Sequence, residues 1–162
     1  MSHVFACSPA ELLSVLDDPS FDERMSARTG VVREVLERKE DESGSYVRFR
    51  VTANKEIPAV MAKAIGADRI RYEQESRRAA GSTTLAWTII PMVLASKFQG
   101  SGTTTVRATA TGCERVIEGE LVVKVPIVGK QMEAKLLESV EESYNQAAAL
   151  AAEMLAERAA GA

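Results

Sequence analysis

The stretch Gly119-Glu120-Leu121-Val122-Val123-Lys124-Val125-Pro126-Ile127-Val128-Gly129 decides the fold. It closes a strand that begins near Glu114. Ile117, Gly119, Leu121, Val123 and Val125 face one way in that strand, and Glu118, Glu120 and Lys124 face the other. Such period-two alternation marks a strand with one dry and one wet face. Pro126 to Gly129 breaks the strand. Beyond the break Met132, Leu136, Val140, Ala147, Ala151 and Met154 recur at the three-, four- and seven-residue spacing of an amphipathic helix. Leu137, Tyr144, Leu150 and Leu155 widen the stripe, while Glu133, Glu138, Glu141, Glu142 and Glu157 populate the outer side. This predicts one helix of about thirty residues, about 45 Å long at 1.5 Å per residue. Its apolar stripe needs an equally long surface, and the only candidate is a sheet built from the preceding strands. A helix laid across a curved antiparallel sheet does not fill the concave side, which points to a pocket for an apolar small molecule.

Working back from that stretch, Lys97 to Thr109 reads as a strand, bent near Gly100 and Gly102. Thr84 to Pro91 carries Leu85, Trp87 and Ile89. In Arg69 to Arg77, Ile70, Tyr72, Gln74 and Ser76 share one face, opposite Arg69, Arg71, Glu73, Glu75 and Arg77. Tyr46 to Thr52 sets Val47, Phe49 and Val51 against Arg48 and Arg50, and a strand with mixed faces starts at Val31. Glu56 to Ala67 breaks the strand pattern and reads as a short helix ending at Gly66. Its Ile57, Val60, Met61 and Ile65 make it the candidate lid. Near the start, Ser2 to Cys7 is a short strand. Ser8, Pro9 and Glu11 then form a capping box with proline at the first helical position. Asp17-Asp18-Pro19 ends that helix, and a second spans roughly Phe21 to Ala27.

The order of elements is strand, two helices, six strands, long helix. It resembles the START-like, or helix-grip, superfamily, whose members include plant pathogenesis-related allergens, polyketide cyclases and coenzyme-Q-binding proteins. Within it the chain is similar to an uncharacterised bacterial family. The matching stretches are Phe5-Ala6-Cys7-Ser8-Pro9-Ala10-Glu11, Ile57-Pro58, and the segment from Gly119 to Gly129 leading into Met132-Glu133. The resemblance covers nearly all of residues 1–162, taken as one domain. It implies an α+β fold: a seven-stranded curved antiparallel sheet gripping the C-terminal helix, with two short helices after the first strand. It also implies a cavity for a lipid, isoprenoid or polyketide-like ligand. It does not fix one chemistry, because a shared fold hosts many functions. No catalytic motif carries over.

Composition sets further bounds. The 162 residues are 46% hydrophobic and 27% charged, the makeup of an ordinary globular domain. The net charge of −3 offers no basic tail to displace phosphate counterions, so nucleic acid is not an expected partner. No stretch approaches the roughly 18 apolar residues of a membrane-spanning helix. The first residues lack a secretory pattern, and a cytoplasmic location with Cys7 and Cys113 as free thiols is expected. His3, the only histidine, reads as an inert surface residue. His3 and Cys7 lie about 13 Å apart along a strand, too far for a nucleophile pair. One histidine and two distant cysteines cannot assemble a zinc or iron site, and no cofactor is expected. Gly100-Ser101-Gly102 precedes a strand and lacks the third glycine of a phosphate-binding loop.

The predicted pocket walls are Phe49, Val51, Tyr72, Trp87, Leu121, Val123, Met132, Leu136 and Val140, with Val47 beside them. Gln74, Ser76, Tyr72 and Tyr144 add polar groups on otherwise apolar faces. Buried unpaired, such groups cost about 1–3 kcal/mol each, so each needs water, a neighbour, or a ligand oxygen. Three functions fit this pattern: a carrier of an apolar small molecule, a protein-interaction module, and a cyclase- or hydratase-type enzyme. The oligomeric state is not readable from the pattern.

Overall fold

The computed structural model describes residues 1–56, 59, 62–63, 66–67, 69–92, 97–127 and 129–161. Seven strands form one antiparallel sheet: β1 (Ser2–Phe5), β2 (Val32–Asp41), β3 (Gly44–Glu56), β4 (Arg69–Ala79), β5 (Thr84–Pro91), β6 (Phe98–Thr109) and β7 (Gly112–Val123). Their spatial order is β1-β7-β6-β5-β4-β3-β2, so the first strand joins the last and β2 forms the far edge. Two short helices, α1 (Pro9–Leu16) and α2 (Pro19–Thr29), follow β1. The chain ends in α3 (Gly129–Ala160), 32 residues long. This is the α+β helix-grip layout expected from the sequence.

Local chemistry accounts for the boundaries. Ser8 caps α1: its hydroxyl accepts from the Glu11 amide at 3.3 Å, and its own amide donates to Glu11 Oε2 at 2.8 Å. Asp18 starts α2 as well as following α1, its carboxylate accepting from the Ser20 amide at 2.9 Å with Pro19 at the first helical position. The second helix therefore begins two residues before the Phe21 read from the sequence. β2 and β3 meet in a two-residue turn at Glu42-Ser43, tighter than the Glu40–Ser45 loop expected. A bulge between Val35 and Glu37 resets the alternation of β2 and leaves Val35 and Leu36 exposed. At the end of β7, a Cβ on Gly129 would lie 2.5 Å from the Val123 carbonyl oxygen, so glycine lets α3 start tight against the strand.

In β6 the glycines expected to mark a bend leave the strand pairing intact. The pairing with β7 runs unbroken from Phe98↔Val123 to Thr109↔Gly112, with no bulge at Gly100 or Gly102. Gly102, with Gly119 beside it on β7, has a packing role. A Cβ on Gly102 would meet the Trp87 ring at 2.5 Å, and one on Gly119 would meet it at 2.7 Å. The indole lies over two residues that carry no side chain.

The apolar interior falls into two clusters. The larger joins Phe5, Leu12, Val15, Phe21, Met25, Val106 and Cys113 to Ala147, Leu150, Ala151 and Met154 of α3. The smaller holds Val123 and Met132, with Ala67, Phe98, Leu121, Val125 and Leu136 packed on it. Ion pairs tie the helices together on the outside: Arg24–Glu157 at 2.7 Å, Arg28–Glu153 at 2.6 Å and Arg158–Asp18 at 2.7 Å. Among the described residues no helix is long and apolar enough to cross a membrane.

Candidate functional site

Strand register decides which side chains meet across the concave face. One row runs Val47, Ser76, Trp87, Gly102, Gly119. The next runs Phe49, Gln74, Ile89, Gly100, Leu121, and a third begins Val51, Tyr72, Pro91. On the other side of the Trp87 row lie Leu85, Thr104 and Ile117, then Val106, Arg115 and His3. Because successive residues of a strand point to opposite faces, these rows form one surface.

The backbone of α3 runs closest to α1, α2, β7 and β1, and strands β3 to β5 stand further off. The inward side chains there reflect this. Phe49 and Val51 are buried, whereas Tyr72, Gln74, Trp87, Leu121, Leu136, Val140 and Tyr144 keep part of their surface accessible. Val123 and Met132 are buried in the smaller cluster. The structure thus places the wall residues read from the sequence on the sheet's inner face or on α3. The lid residues Ile57, Val60, Met61 and Ile65 lie outside the described residues.

The interior between the clusters is less greasy than the sequence suggested. It is a polar band. Gln74 donates to Ser76 Oγ at 3.2 Å, and Ser76 is 4% exposed. Burial pushes the Tyr144 phenol above the ordinary value, and Thr104 beside it pulls the other way. Burial does the same, more simply, to Tyr72. The Trp87 Nε1–H is buried with no partner.

Two arginines complete the band, and the sequence reading missed both. Arg33 stacks its guanidinium 4.4 Å from the centre of the Phe49 ring and pairs with Asp22 at 3.1 Å. Its charge is felt at both Tyr72 and Tyr144. Arg115, 3% exposed, lies 5.6 Å from the centre of the Tyr144 ring and donates to the Tyr144 carbonyl at 3.1 Å. Desolvation pulls its guanidinium below the ordinary value. The signal was available: Arg115 sits two residues before Ile117, so the period-two face that holds Ile117 also holds Arg115.

His3 is not the inert surface residue expected. Its Nδ1 lies 3.4 Å from Arg115 Nη2, and its Nε2 lies 2.9 Å from Asn145 Oδ1. A guanidinium only donates. Nδ1 therefore accepts, and Nε2–H donates to Asn145, which couples β1 to α3. The cysteines, distant in sequence, are neighbours in space: Cys7 Sγ and Cys113 Sγ are 3.8 Å apart as free thiols. Cys113 is buried in the larger cluster, and its thiol is pushed up to about 12.

The outer face carries the charges of β4. Glu73 accepts from Arg48 Nε at 2.8 Å and from Arg50 Nη2 at 3.2 Å, and Tyr46 donates to Glu75 at 3.0 Å. Two hollows around the β2–β3 turn, lined in part by Tyr46, Arg77 and Arg78, open widely to solvent. They lie apart from the sheet–helix interior and would bury little of a ligand.

Fold and interior together define an α+β helix-grip protein whose concave face holds a polar band between two apolar clusters. The chain belongs to the DUF2505 family, described as proteins of unknown function, whose model matches residues 1–155. Two solved structures are similar. The protein TTHA0849 from Thermus thermophilus is 14% identical, with 98% of this chain and 96% of that one covered and a TM-score of 0.69. The protein CV1439 from Chromobacterium violaceum is 16% identical, with 94% of each chain covered and a TM-score of 0.57. At those identities the likeness concerns the fold. No curated protein matches the sequence.

Proposed function

We propose that this chain is a START-like binder or carrier of a largely apolar small molecule, of lipid, isoprenoid or polyketide type, held between the sheet and α3. The observation that carries the reading is the standing-off of α3 from β3 to β5, which leaves Tyr72, Gln74, Trp87 and Tyr144 partly accessible on an inward face. A folded chain gains by covering such surface. Each Å² of apolar area withdrawn from water is worth about 25 cal/mol. The smaller cluster offers Leu121, Val123, Met132 and Leu136 as an apolar wall beside that surface.

The single tryptophan makes the reading testable, because Trp87 lies on this face. Titration with N-phenylnaphthylamine, a neutral apolar fluorophore, is expected to quench Trp87 emission by energy transfer and to saturate at one probe per chain. A linear, non-saturating response would overturn the reading. A protein-interaction module is the second reading, favoured by exposed Val32, Val35 and Leu36 on the edge strand β2. It requires a partner to protect β2 from hydrogen exchange while Trp87 emission stays unchanged.

A further inference from the structure

Arg115 is an expensive residue to place where it stands. Its guanidinium carries a full charge at 3% exposure, and an uncompensated buried charge is among the costliest features a fold can hold. Structural buried arginines are normally paired with a carboxylate. Among the described residues none pairs with Arg115. Its hydrogen-bond partners are the Tyr144 carbonyl at 3.1 Å and the His3 ring at 3.4 Å, and the Tyr144 ring centre lies 5.6 Å away; none of these is a carboxylate. Its Nε–H has no partner. Two carboxylates on neighbouring elements are engaged elsewhere: Asp22 with Arg33, and Glu114 with Arg107 at 2.7 Å on the opposite face of β7. With Arg33 counted against Asp22, the band between the clusters keeps an unbalanced positive charge.

The rest of the concave face is built for a different kind of contact. From Arg115 the inward residues of β7 continue through Ile117, Gly119 and Leu121 to Val123, a run of about 26 Å at about 3.3 Å per residue. At Gly119 the Trp87 ring fills the place of the missing side chain, so the indole itself makes the apolar surface of the track there. The cation thus stands at one end of an apolar track, and the smaller cluster stands at the other.

We propose that the ligand of this interior is an amphipathic anion, whose carboxylate or phosphate head is held by the Arg115 guanidinium and whose apolar body lies along β7 toward Leu121 and Val123. The proposal rests on the reading above that a ligand occupies this interior, and it adds the charge and orientation of that ligand. A planar guanidinium suits both head types, because its parallel N–H groups match two oxygens of either. The unpartnered Trp87 Nε1–H is a further donor on the same face, suited to an oxygen along the body.

Displacement of bound N-phenylnaphthylamine separates the two ideas. Dodecanoate, dodecyl phosphate and dodecanol share one apolar chain and differ in the head. If N-phenylnaphthylamine itself fails to bind saturably, the ligand reading fails. If it binds, the expected result is that an anion displaces it at about tenfold lower concentration, or less, than dodecanol, the scale of a charge-assisted hydrogen bond. Which anion is stronger tells a carboxylate head from a phosphate head. Equal displacement by all three compounds overturns the anion proposal while leaving the ligand reading intact. The variant R115Q, compared with its own dodecanol value, is expected to lose the preference. R115K is expected to keep only part of it, because a lysine cannot make the forked contact. An undiminished preference in R115K, or in a folded R115Q, would also overturn it, showing that Arg115 serves only to join β7 to α3.

Discussion

The two halves of α3 face different interiors. From Ala147 onward the helix is clamped: Ala147, Leu150, Ala151 and Met154 are buried against α1, α2 and the paired ends of β6 and β7. The small side chains of Ala147 and Ala151 let the backbones come close. From Met132 to Tyr144 the same helix touches only a small apolar cluster and then a polar band, and Leu136, Val140 and Tyr144 remain partly accessible. One continuous helix thus serves as a structural anchor at one end and as the roof of a less crowded interior at the other. Stability and the proposed binding are assigned to different lengths of the same element. A mutation can then strike one and spare the other.

The largest expected effect comes from truncating equivalent leucines in the two halves. Leu150→Ala, at 1% exposure, is expected to cost about 2–5 kcal/mol in urea unfolding, through lost burial and the void left behind. Leu136→Ala is expected to cost well under half as much, since Leu136 is itself only partly buried and packs on a smaller cluster. Equal costs would erase the contrast between the halves. A middle-sized effect is expected at Gly102→Ala. The new Cβ would press on the Trp87 ring and on the Glu118 carbonyl oxygen. The strain is expected to destabilise by about 1–3 kcal/mol and to shift Trp87 emission, read from the same unfolding curve. An unchanged emission maximum would show that the indole does not lie on the glycine floor.

The smallest expected effect lies on the outer face. The hydrogen bond from Arg48, with a further one from Arg50, holds the Glu73 carboxyl below its ordinary value of 4.5. A carboxylate depressed in the folded state stabilises above its unfolded value, and that contribution is lost as pH falls through the folded value. Glu73→Gln should therefore flatten the fall in stability below about pH 4.5 and leave the neutral-pH binding of N-phenylnaphthylamine unaltered. A steeper acid limb in the variant would contradict the sign.

Much of the frame was legible because it rests on periodicity and punctuation. The alternation of Ile117 to Val123, the break at Pro126 to Gly129 and the stripe of α3 are local signals, as is the Ser8–Glu11 box. What escaped depended on partners distant in sequence. The packing role of Gly102 shows only when Trp87 is laid across it. Cys7 and Cys113 meet only because β1 pairs with β7. Asp18-Pro19 looked like a stop, since an aspartate and a proline serve equally to end one helix and cap the next. Arg115 was hidden by its type: a charged residue on an apolar face reads as noise unless the parity of the strand is followed through it. The band it belongs to makes the interior between the clusters more polar than the sequence reading, with a charged residue at one end.

The measurement that bears most directly on this account is extraction and mass analysis of whatever the chain carries when purified from its own host without detergent. The expected result is a near-stoichiometric molecule with a long apolar body and one acidic group, lost or diminished in Arg115→Gln. A chain that emerges empty, and whose solved interior between α3 and β3 to β5 is packed solid with its own side chains, would contradict it.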